Sequence, residues 1–208
     1  MAISTYTELK TAVANWLDRD DLTDRIPEFI ALAETRMNRV LRLRMMEVKY
    51  TASTVGAQRN YALPTGYLQM RNFQLNTSPI TTLSYVSPEI FDRLWGGSTG
   101  GTPQFYTILA NEIQLGPIPA SVQTMEMLFY KKITALSGTN LTEQMLTNNP
   151  DIYLYGALLE AEPFIMNDER VPLWALGFEK AVANLQEQDN KDRHSGSALR
   201  VMNTSGYY

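Results

Sequence analysis

The sequence predicts an α+β fold: a four-helix bundle with an inserted antiparallel β-rich domain and an extended C-terminal tail. Apolar residues recur at helical intervals toward both ends of the 208-residue chain and alternate with polar residues in its middle. Short helices with one apolar face need a packing partner, so the two outer pairs of helices are expected to form one bundle. The predicted domains are residues 1–46 with 138–194, residues 47–137, and residues 195–208.

The first pair of helices is predicted from a capping box and from helical spacing. Thr5 and Glu8 have the spacing in which a hydroxyl and a carboxylate each accept a backbone N–H at a helix start. The apolar face expected for this helix consists of Tyr6, Leu9, Val13, Trp16 and Leu17. A second helix is predicted over residues 24–44, with Pro27 in its first turn and apolar positions that continue to Leu41.

The middle of the chain changes to the two-residue period of β-strands. From Glu47 onward, apolar and polar residues alternate, as a strand with one buried face requires. The residues expected on that buried face are Val48, Tyr50 and Ala52. Further strands are predicted at residues 59–63, 67–75, 80–85, 105–110, 112–115 and 124–133. A short helix is predicted to begin at Pro88 and to end at Gly96.

Two helices are predicted after the β-rich section. Asn149 is expected to cap the first, with Pro150 at its first helical position and Pro163 ending or kinking it. Asp168 is expected to cap the second. The apolar stripe predicted for that last helix consists of Trp174, Phe178, Ala181, Val182 and Leu185.

Charge and composition exclude several classes of protein. The net charge of −4 argues against a nucleic-acid binder that grips phosphate with clustered Lys and Arg. The chain has no cysteine, which excludes disulfides, zinc–thiolate sites and a cysteine nucleophile. The N-terminal residues do not have the pattern of a signal peptide, and no run reaches the roughly 18 apolar residues of a membrane span. We therefore expect a protein made in the cytosol, with no membrane partner.

The titratable residues do not form a recognisable catalytic pattern. His194 precedes a serine, but a base and a nucleophile need spatial convergence and a third, orienting group. We therefore interpret His194 as a solvated residue at a helix end. Glu160 with Glu162, and Asp168 with Glu169, are close in sequence. Neighbouring positions on a helix point apart, which indicates surface charge and capping rather than the paired carboxylates of a glycosidase.

Two further clusters are interpreted as connections. Residues 18–21 contain three aspartates but lack the glycine and the terminal glutamate of a calcium loop. Residues 96–101 contain four glycines without the lysine and the helix that follow them in a phosphate loop. The sequence therefore predicts no catalytic residue, no cofactor and no metal site.

The arginines toward the end of the predicted second helix are candidates for an interface. They are Arg36, Arg39, Arg42 and Arg44, at the helix end where cations oppose the negative end of the helix dipole. Arginine is also favoured at interfaces, where it pairs with acidic groups of another subunit or partner. Both roles stay open at this point, and a DNA contact ranks third because a net acidic protein holds phosphate poorly.

The glycine-rich stretch and the C-terminal tail are the other candidates. The stretch consists of Trp95 followed by Gly96, Gly97, Gly100 and Gly101. Trp16, Trp174, Tyr153 and Tyr155 are expected mostly in the core, and Trp95 is the one of these five aromatic residues expected to be exposed. The tail lacks helical periodicity. Tyr207 and Tyr208 at its end are expected to fill pockets on another chain, with Leu199 and Val201 as its apolar contacts.

Six segments form an ordered set along nearly the whole chain. They are YTEL at residues 6–9, RMNR at 36–39, YVSPEIFD at 85–92, GTPQFY at 101–106, NEIQLGPIP at 111–119 and NPDIYLYGA at 149–157. Their order and spacing resemble the head-to-tail adaptor proteins of short-tailed phages, the family related to tail tubular protein A. Each segment alone is also ordinary turn or helix-start sequence, so the resemblance depends on the set.

The resemblance implies a structural virion protein of the head-tail interface, assembled in the host bacterial cytoplasm. It implies a dodecameric ring that joins the portal protein to the tail nozzle protein, with double-stranded DNA passing non-specifically through its lumen. In such rings the helical part and the C-terminal segment meet the portal or a neighbouring subunit, which here assigns Arg36, Arg39, Arg42, Arg44, Leu199, Val201, Tyr207 and Tyr208. The β section faces the tail, which assigns Trp95, Gly96, Gly97, Gly100 and Gly101 to the nozzle.

Two alternative functions are weighed against the adaptor. A cell-wall (peptidoglycan) hydrolase of the tail predicts two carboxylates that converge in a cleft. A DNA-binding packaging accessory protein predicts a basic stripe and binding that weakens steeply with salt. The charge balance does not favour the second alternative, and the carboxylate spacing does not favour the first. We therefore expect an assembly protein rather than an enzyme.

Overall fold

The computed structural model describes residues 2–97, 100–165 and 169–194. The chain divides into two compact units. The helical unit contains the described residues up to Arg44 and from Ile133 onward, and the β unit contains Met45–Lys132. The predicted α+β class is confirmed. The boundaries of the predicted domains stay a prediction, and the predicted tail of residues 195–208 lies outside the described residues.

The elements follow one another in the order helices, strands, helices. The described residues form seven α-helices: α1 (Tyr6–Leu17), α2 (Ile26–Val40), α3 (Pro88–Trp95), α4 (Gln144–Asn148), α5 (Pro150–Glu160), α6 (Glu162–Ile165) and α7 (Val171–Arg193). They also form ten strands: β1 (Glu47–Ser53), β2 (Asn60–Ala62), β3 (Tyr67–Leu75), β4 (Thr81–Thr82), β5 (Ser84–Tyr85), β6 (Gly100–Gly101), β7 (Phe105–Leu109), β8 (Glu112–Gly116), β9 (Ile118–Pro119) and β10 (Thr124–Lys131). Within these ranges no helix is both long and apolar enough to cross a membrane.

Helix α5 lies at the centre of the helical unit. It contacts α1, α2 and α7, and its buried residues include Tyr153, Ala157 and Leu158. A Cβ on Gly156 would lie only 3.1 Å from the Ala33 side chain, so this glycine allows α2 and α5 to approach closely. The predicted four-helix bundle is not confirmed, because the unit also contains α4 and α6 and is organised around one buried helix.

Helix α1 has the predicted cap at its start, and α2 departs from its predicted range at its end. Thr5 and Glu8 form the predicted capping box. Helix α2 begins at Ile26, after a 3-10 turn, and ends at Val40 rather than at residue 44. The backbone is extended at Leu41, which allows Leu41 and Leu43 to be buried two residues apart.

The helices after the β unit begin as predicted, although their caps differ. Helix α5 starts at Pro150, but the Asn149 side chain makes no capping hydrogen bond. Pro163 lies in the short α6, which confirms that the helix is interrupted there. Helix α7 buries Trp174 and most of its predicted stripe. Its predicted cap, Asp168, lies outside the described residues.

The β unit contains two four-stranded sheets, with strand orders β1-β10-β3-β4 and β2-β8-β7-β5, and a two-stranded β6-β9 pair. Most pairs are antiparallel, whereas β5–β7 and β6–β9 are parallel, which the sequence did not indicate. The core of this unit is a cluster of apolar and aromatic side chains. Its buried members are Tyr61, Phe73, Leu75, Leu83, Tyr106, Ile113, Leu115, Met125, Met127 and Phe129.

Three residues predicted to be buried are more exposed than expected. Val48 and Tyr50 are 38% and 42% exposed because β1 is the edge strand of its sheet, although they pair with the buried Phe129 and Met127. Trp16 is 45% exposed at the end of α1 and packs its ring edge-on against another aromatic ring.

Candidate interface surfaces

The four candidate arginines lie near the end of α2, and only two of them belong to the helix. Arg36 is held by an ion pair with Glu160 of α5, at 2.6 Å between Nε and Oε1. Arg39, in the last turn of α2, is exposed and has no ion pair or hydrogen bond among the described residues. The other two, Arg42 and Arg44, follow the helix.

Arg42 and Arg44 are engaged within the chain. The Arg42 guanidinium donates to the carbonyl oxygen of Asn38 at 2.9 Å, so it satisfies an acceptor that the end of α2 leaves open. The backbone N–H of Arg44 donates to Asp189 Oδ1 at 2.8 Å, and its guanidinium lies 4.0 Å from the carboxylate of Asp192. Arg42 and Arg44 are therefore held by contacts at and after the end of α2, while Arg39 has no such contact within the described part of the chain.

Trp95 is half-buried, so the prediction that it is exposed is wrong. Its ring stacks on Phe105 with 4.7 Å between centroids and also packs against Phe91. Its carbonyl oxygen accepts a hydrogen bond from the Arg59 guanidinium. The sequence pattern could not distinguish the inward from the outward face of an eight-residue helix. The outward apolar residues of α3 are Ile90 and Leu94, 42% and 56% exposed.

The glycines after Trp95 have different local roles. The backbone N–H of Gly96 closes α3 by donating to the Asp92 carbonyl oxygen at 2.8 Å. A Cβ on Gly97 would meet nothing within 4 Å, so nothing in the described part of the chain requires a glycine there. Gly100 and Gly101 form β6 and pair with β9. The four glycines thus lie on one surface segment, whose residues 98–99 are outside the described ranges.

The remaining candidates belong to the C-terminal tail. Leu199, Val201, Tyr207 and Tyr208 lie outside the described residues, which end at His194. The last described residues belong to α7, whose C-terminal turn carries Lys191 and Arg193. The assignment of the tail to an interface therefore stays a prediction.

A groove in the helical unit was not predicted from the sequence. It has a volume of about 670 Å³ and lies between α2, the α5–α6 turn and α7. Its apolar lining includes Val40, Leu159, Pro163, Phe178 and Val182. The residues come from three separate segments, so no local pattern could have indicated it.

The sequence reasoning also missed a buried carboxyl group. Glu34 of α2 is only 4% exposed and its Oε1 accepts the backbone N–H of Leu136 at 2.9 Å. Burial raises the pKa of this carboxyl to about 7, and the charge of Glu143 acts in the same direction. The nearby Tyr153 hydroxyl is buried without a hydrogen-bond partner among the described residues, and burial raises its pKa as well.

A signal for Glu34 was present in the sequence. It lies three and four residues from Met37 and Ile30, and therefore on the apolar stripe of α2. A charged residue at such a position needs a distant partner, and the sequence alone does not reveal that this partner is a backbone N–H 102 residues later.

One carboxylate weighed for catalysis and one weighed for calcium binding have ion-pair partners within the chain. Glu160 is held by Arg36, and Asp21 of the 18–21 cluster pairs with Arg19 at 2.7 Å. His194 ends α7, and its backbone N–H donates to the Lys191 carbonyl oxygen. Within residues 2–97, 100–165 and 169–194, no three His, Asp or Glu side chains are grouped so as to hold a metal ion.

Comparison with models of protein families places the chain in a known family. The family model described as SU10 adaptor protein matches residues 4–202, which is nearly the whole chain. The matched range includes both units and extends eight residues beyond the last described residue. No curated protein sequence matches the chain.

Proposed function

The chain belongs to the SU10 adaptor protein family, and from this membership we propose that it forms a dodecameric ring that joins the portal to the tail nozzle. The family is one of phage head-to-tail adaptors, so the predicted family resemblance is confirmed. Membership supports a structural role at the head-tail junction of a virion, in association with portal and tail proteins. The match over residues 4–202 is the single observation that carries the proposal.

We propose that genomic DNA passes through the lumen of this ring without being gripped. The net charge of −4 supports this, because a conduit that lets DNA slide needs few fixed cations along it. Three of the four candidate arginines are engaged within the chain, which leaves Arg39 as the one with no partner among the described residues. Assembly would take place in the host cytoplasm before the adaptor becomes part of the virion.

The portal or neighbouring subunit is proposed to contact the helical unit and the tail. Arg39 supports this assignment, because it is exposed at the end of α2 and available to an acidic partner. Arg36, Arg42 and Arg44 would contribute through the surface that their internal contacts hold in place. Leu199, Val201, Tyr207 and Tyr208 are proposed as the docking residues of the tail.

The nozzle is proposed to contact α3 and the glycine segment. Ile90 and Leu94 form an exposed apolar pair one helical turn apart, which suits a protein partner. Trp95 would contribute indirectly, because its stacking on Phe105 holds α3 in position. The surrounding glycines are Gly96, Gly97, Gly100 and Gly101, and they would let a partner approach the backbone closely.

Mass photometry of the purified chain, alone and mixed with portal rings, tests the proposal. The full chain is expected to add a ring to the portal, and a chain that ends at Arg193 is expected to bind more weakly. A chain that ends at Met202 separates the family-matched part of the tail from the last six residues. Absence of portal binding by the full chain would contradict the adaptor role and return attention to the hydrolase and DNA-binding alternatives.

A charge reversal in the same assay tests the helical contact. Arg39→Glu is expected to lower ring formation roughly two- to fivefold, the effect of losing one exposed ion pair. Lys180→Glu on α7 is the matched control, because it reverses an exposed cation of the same unit that has no assigned role. Equal loss with both variants would show that only net charge matters.

A further inference from the structure

The groove of the helical unit presents apolar surface that the described residues leave uncovered. Phe178 and Val182 of α7 form its floor and are largely buried, whereas Val40 on its edge is 48% exposed. Leu159 and Pro163 continue the apolar lining from α5 into α6. A groove of this volume that combines apolar and charged lining residues has room for a short peptide segment.

The charges of the groove select the kind of occupant. Arg36 is neutralised by its ion pair with Glu160. Glu162 and Glu179, also on the lining, are exposed and have no ion pair among the described residues. The groove therefore suits a mostly apolar segment that carries a basic residue.

We propose that residues 199–202 of the same chain cover this groove in the free protomer. The segment Leu199-Arg200-Val201-Met202 has three apolar side chains and one cation, which matches an apolar floor beside two carboxylates that have no ion pair in the described ranges. The family match ends at residue 202, so it includes this segment and excludes the six residues after it.

The length of chain after α7 is sufficient for this contact. Val182 lies eleven residues before Arg193 on α7, which is about 16 Å along the helix axis. Six residues, 194–199, span up to about 20 Å when extended. Ser195-Gly196-Ser197 has the small and polar residues that suit a reversal of the chain. A tether this short also gives the segment a high effective concentration at its own groove.

This contact belongs to the free protomer and does not depend on the ring. It adds a step to the proposed function, because a tail that docks on the portal or a neighbour would first leave its own groove. A groove covered in the free protomer would also keep its apolar surface from associating with other chains before assembly.

Disulfide trapping tests this contact directly, because the chain has no cysteine of its own. The variant Ala183→Cys with Val201→Cys places one thiol on the exposed edge of the groove and the other in the segment. Mild oxidation of the dilute protein is expected to give a monomer with an internal disulfide, seen by intact mass and by mobility on a non-reducing gel. The control, Thr11→Cys with Val201→Cys, places the first thiol on the exposed surface of α1, outside the groove.

Each outcome decides the proposal. An internal disulfide that forms several-fold faster than in the Thr11 control supports it. A disulfide between two chains would overturn it in favour of a second copy as the occupant, and equal rates in both variants would overturn the groove as the binding site. In the Ala183 variant, Glu179→Lys is expected to lower the trapping rate roughly two- to fivefold, and adding Arg200→Glu is expected to restore it.

Discussion

The two units of this protein are stabilised in different ways. The β unit is built from one continuous stretch, Met45–Lys132, and its central cluster is apolar and aromatic. The helical unit joins two stretches that are far apart in sequence, and it buries the carboxyl of Glu34 where they meet. The β unit has a buried polar contact as well, between the Thr54 hydroxyl and Gln123, but in the helical unit the buried polar group is a carboxyl, and it fixes the returning chain.

The polar contacts that fix the returning chain come from α2. The Asn38 side-chain oxygen accepts the backbone N–H of Ile133 at 2.9 Å, and Glu34 accepts that of Leu136 at the same distance. Two residues near the end of the first stretch therefore bind the backbone of the second stretch directly after the chain leaves the β unit. We expect the stability of the helical unit to depend on pH and that of the β unit to depend on packing.

The largest effect is expected from opening the core of the β unit. Phe73 is 1% exposed and packs edge-on against Tyr106 with 5.2 Å between ring centroids. Phe73→Ala is expected to lower the free energy of unfolding by ~3–5 kcal/mol, because it removes an aromatic ring and leaves a cavity. Urea denaturation followed by circular dichroism measures the loss, and hydrogen exchange with mass spectrometry assigns it to β3 and β10.

Tyr50→Ala is the matched control in the same unit. Tyr50 is also aromatic and lies in the same sheet, but it is 42% exposed on the edge strand. Its loss is expected to cost about 1 kcal/mol or less, in line with an exposed position. Similar costs for the two variants would contradict the view that packing around Phe73 stabilises this unit.

The second effect is the pH dependence that Glu34 gives to the helical unit. Burial raises the pKa of Glu34 to about 7 from an ordinary value of 4.5, so the folded state favours the protonated form. Its contribution is full below the unfolded pKa and is lost as pH rises through the folded one. The free energy of unfolding is therefore expected to fall between about pH 4.5 and 7, by up to ~3 kcal/mol from this group.

Glu34→Gln is expected to remove this dependence. The amide keeps an acceptor for the Leu136 N–H without the cost of a buried charge. The variant should match the native protein near pH 5 and exceed its free energy of unfolding at pH 8. Glu28→Gln, which changes an exposed carboxylate of the same helix, is the control. If the free energy of unfolding of Glu34→Gln changed between pH 5 and pH 8 as much as that of the native protein, the role of Glu34 would be contradicted. The titratable groups that face Glu34, namely Glu143, Tyr6 and Tyr153, are unchanged in both variants.

The smallest effect concerns the start of α1. The Thr5 hydroxyl accepts the N–H of Glu8 at 3.3 Å, while the Glu8 carboxylate accepts the N–H groups of Ser4 and Thr5. Thr5→Ala is expected to lower the free energy of unfolding by ~1 kcal/mol, the usual cost of losing an N-cap. Thr11→Ala, an exposed position within the same helix, should be neutral or slightly stabilising. Thermal denaturation of both variants makes the comparison, and equal melting temperatures would argue against the cap.

Sequence reasoning succeeded where structure depends on neighbouring residues. The capping box of Thr5 and the proline at residue 150 mark helix starts that the structure has. The strand β3 begins and ends at its predicted residues, because turn residues flank it on both sides. The ordered family segments also gave the family, which the match over residues 4–202 confirms.

It failed where distant residues decide the outcome. Apolar spacing continues past Val40, but α2 ends there because Leu41 and Leu43 are buried in an extended segment. The prediction for the exposed face of α3 was wrong because Trp95 stacks on Phe105, which belongs to strand β7. The groove and the Glu34 contact likewise depend on segments that meet only in the folded chain.

The register of β1 and β10 has a consequence for how this protein can change over time. Glu47, the first residue of β1, is paired with Tyr130, next to the last residue of β10, so the chain enters and leaves the β unit through neighbouring positions about 5 Å apart. An inserted domain whose two ends are adjacent can be exchanged or resized without distorting the domain that carries it. Residues 45–132 can thus be exchanged as one module while the residues that build the helical unit are kept.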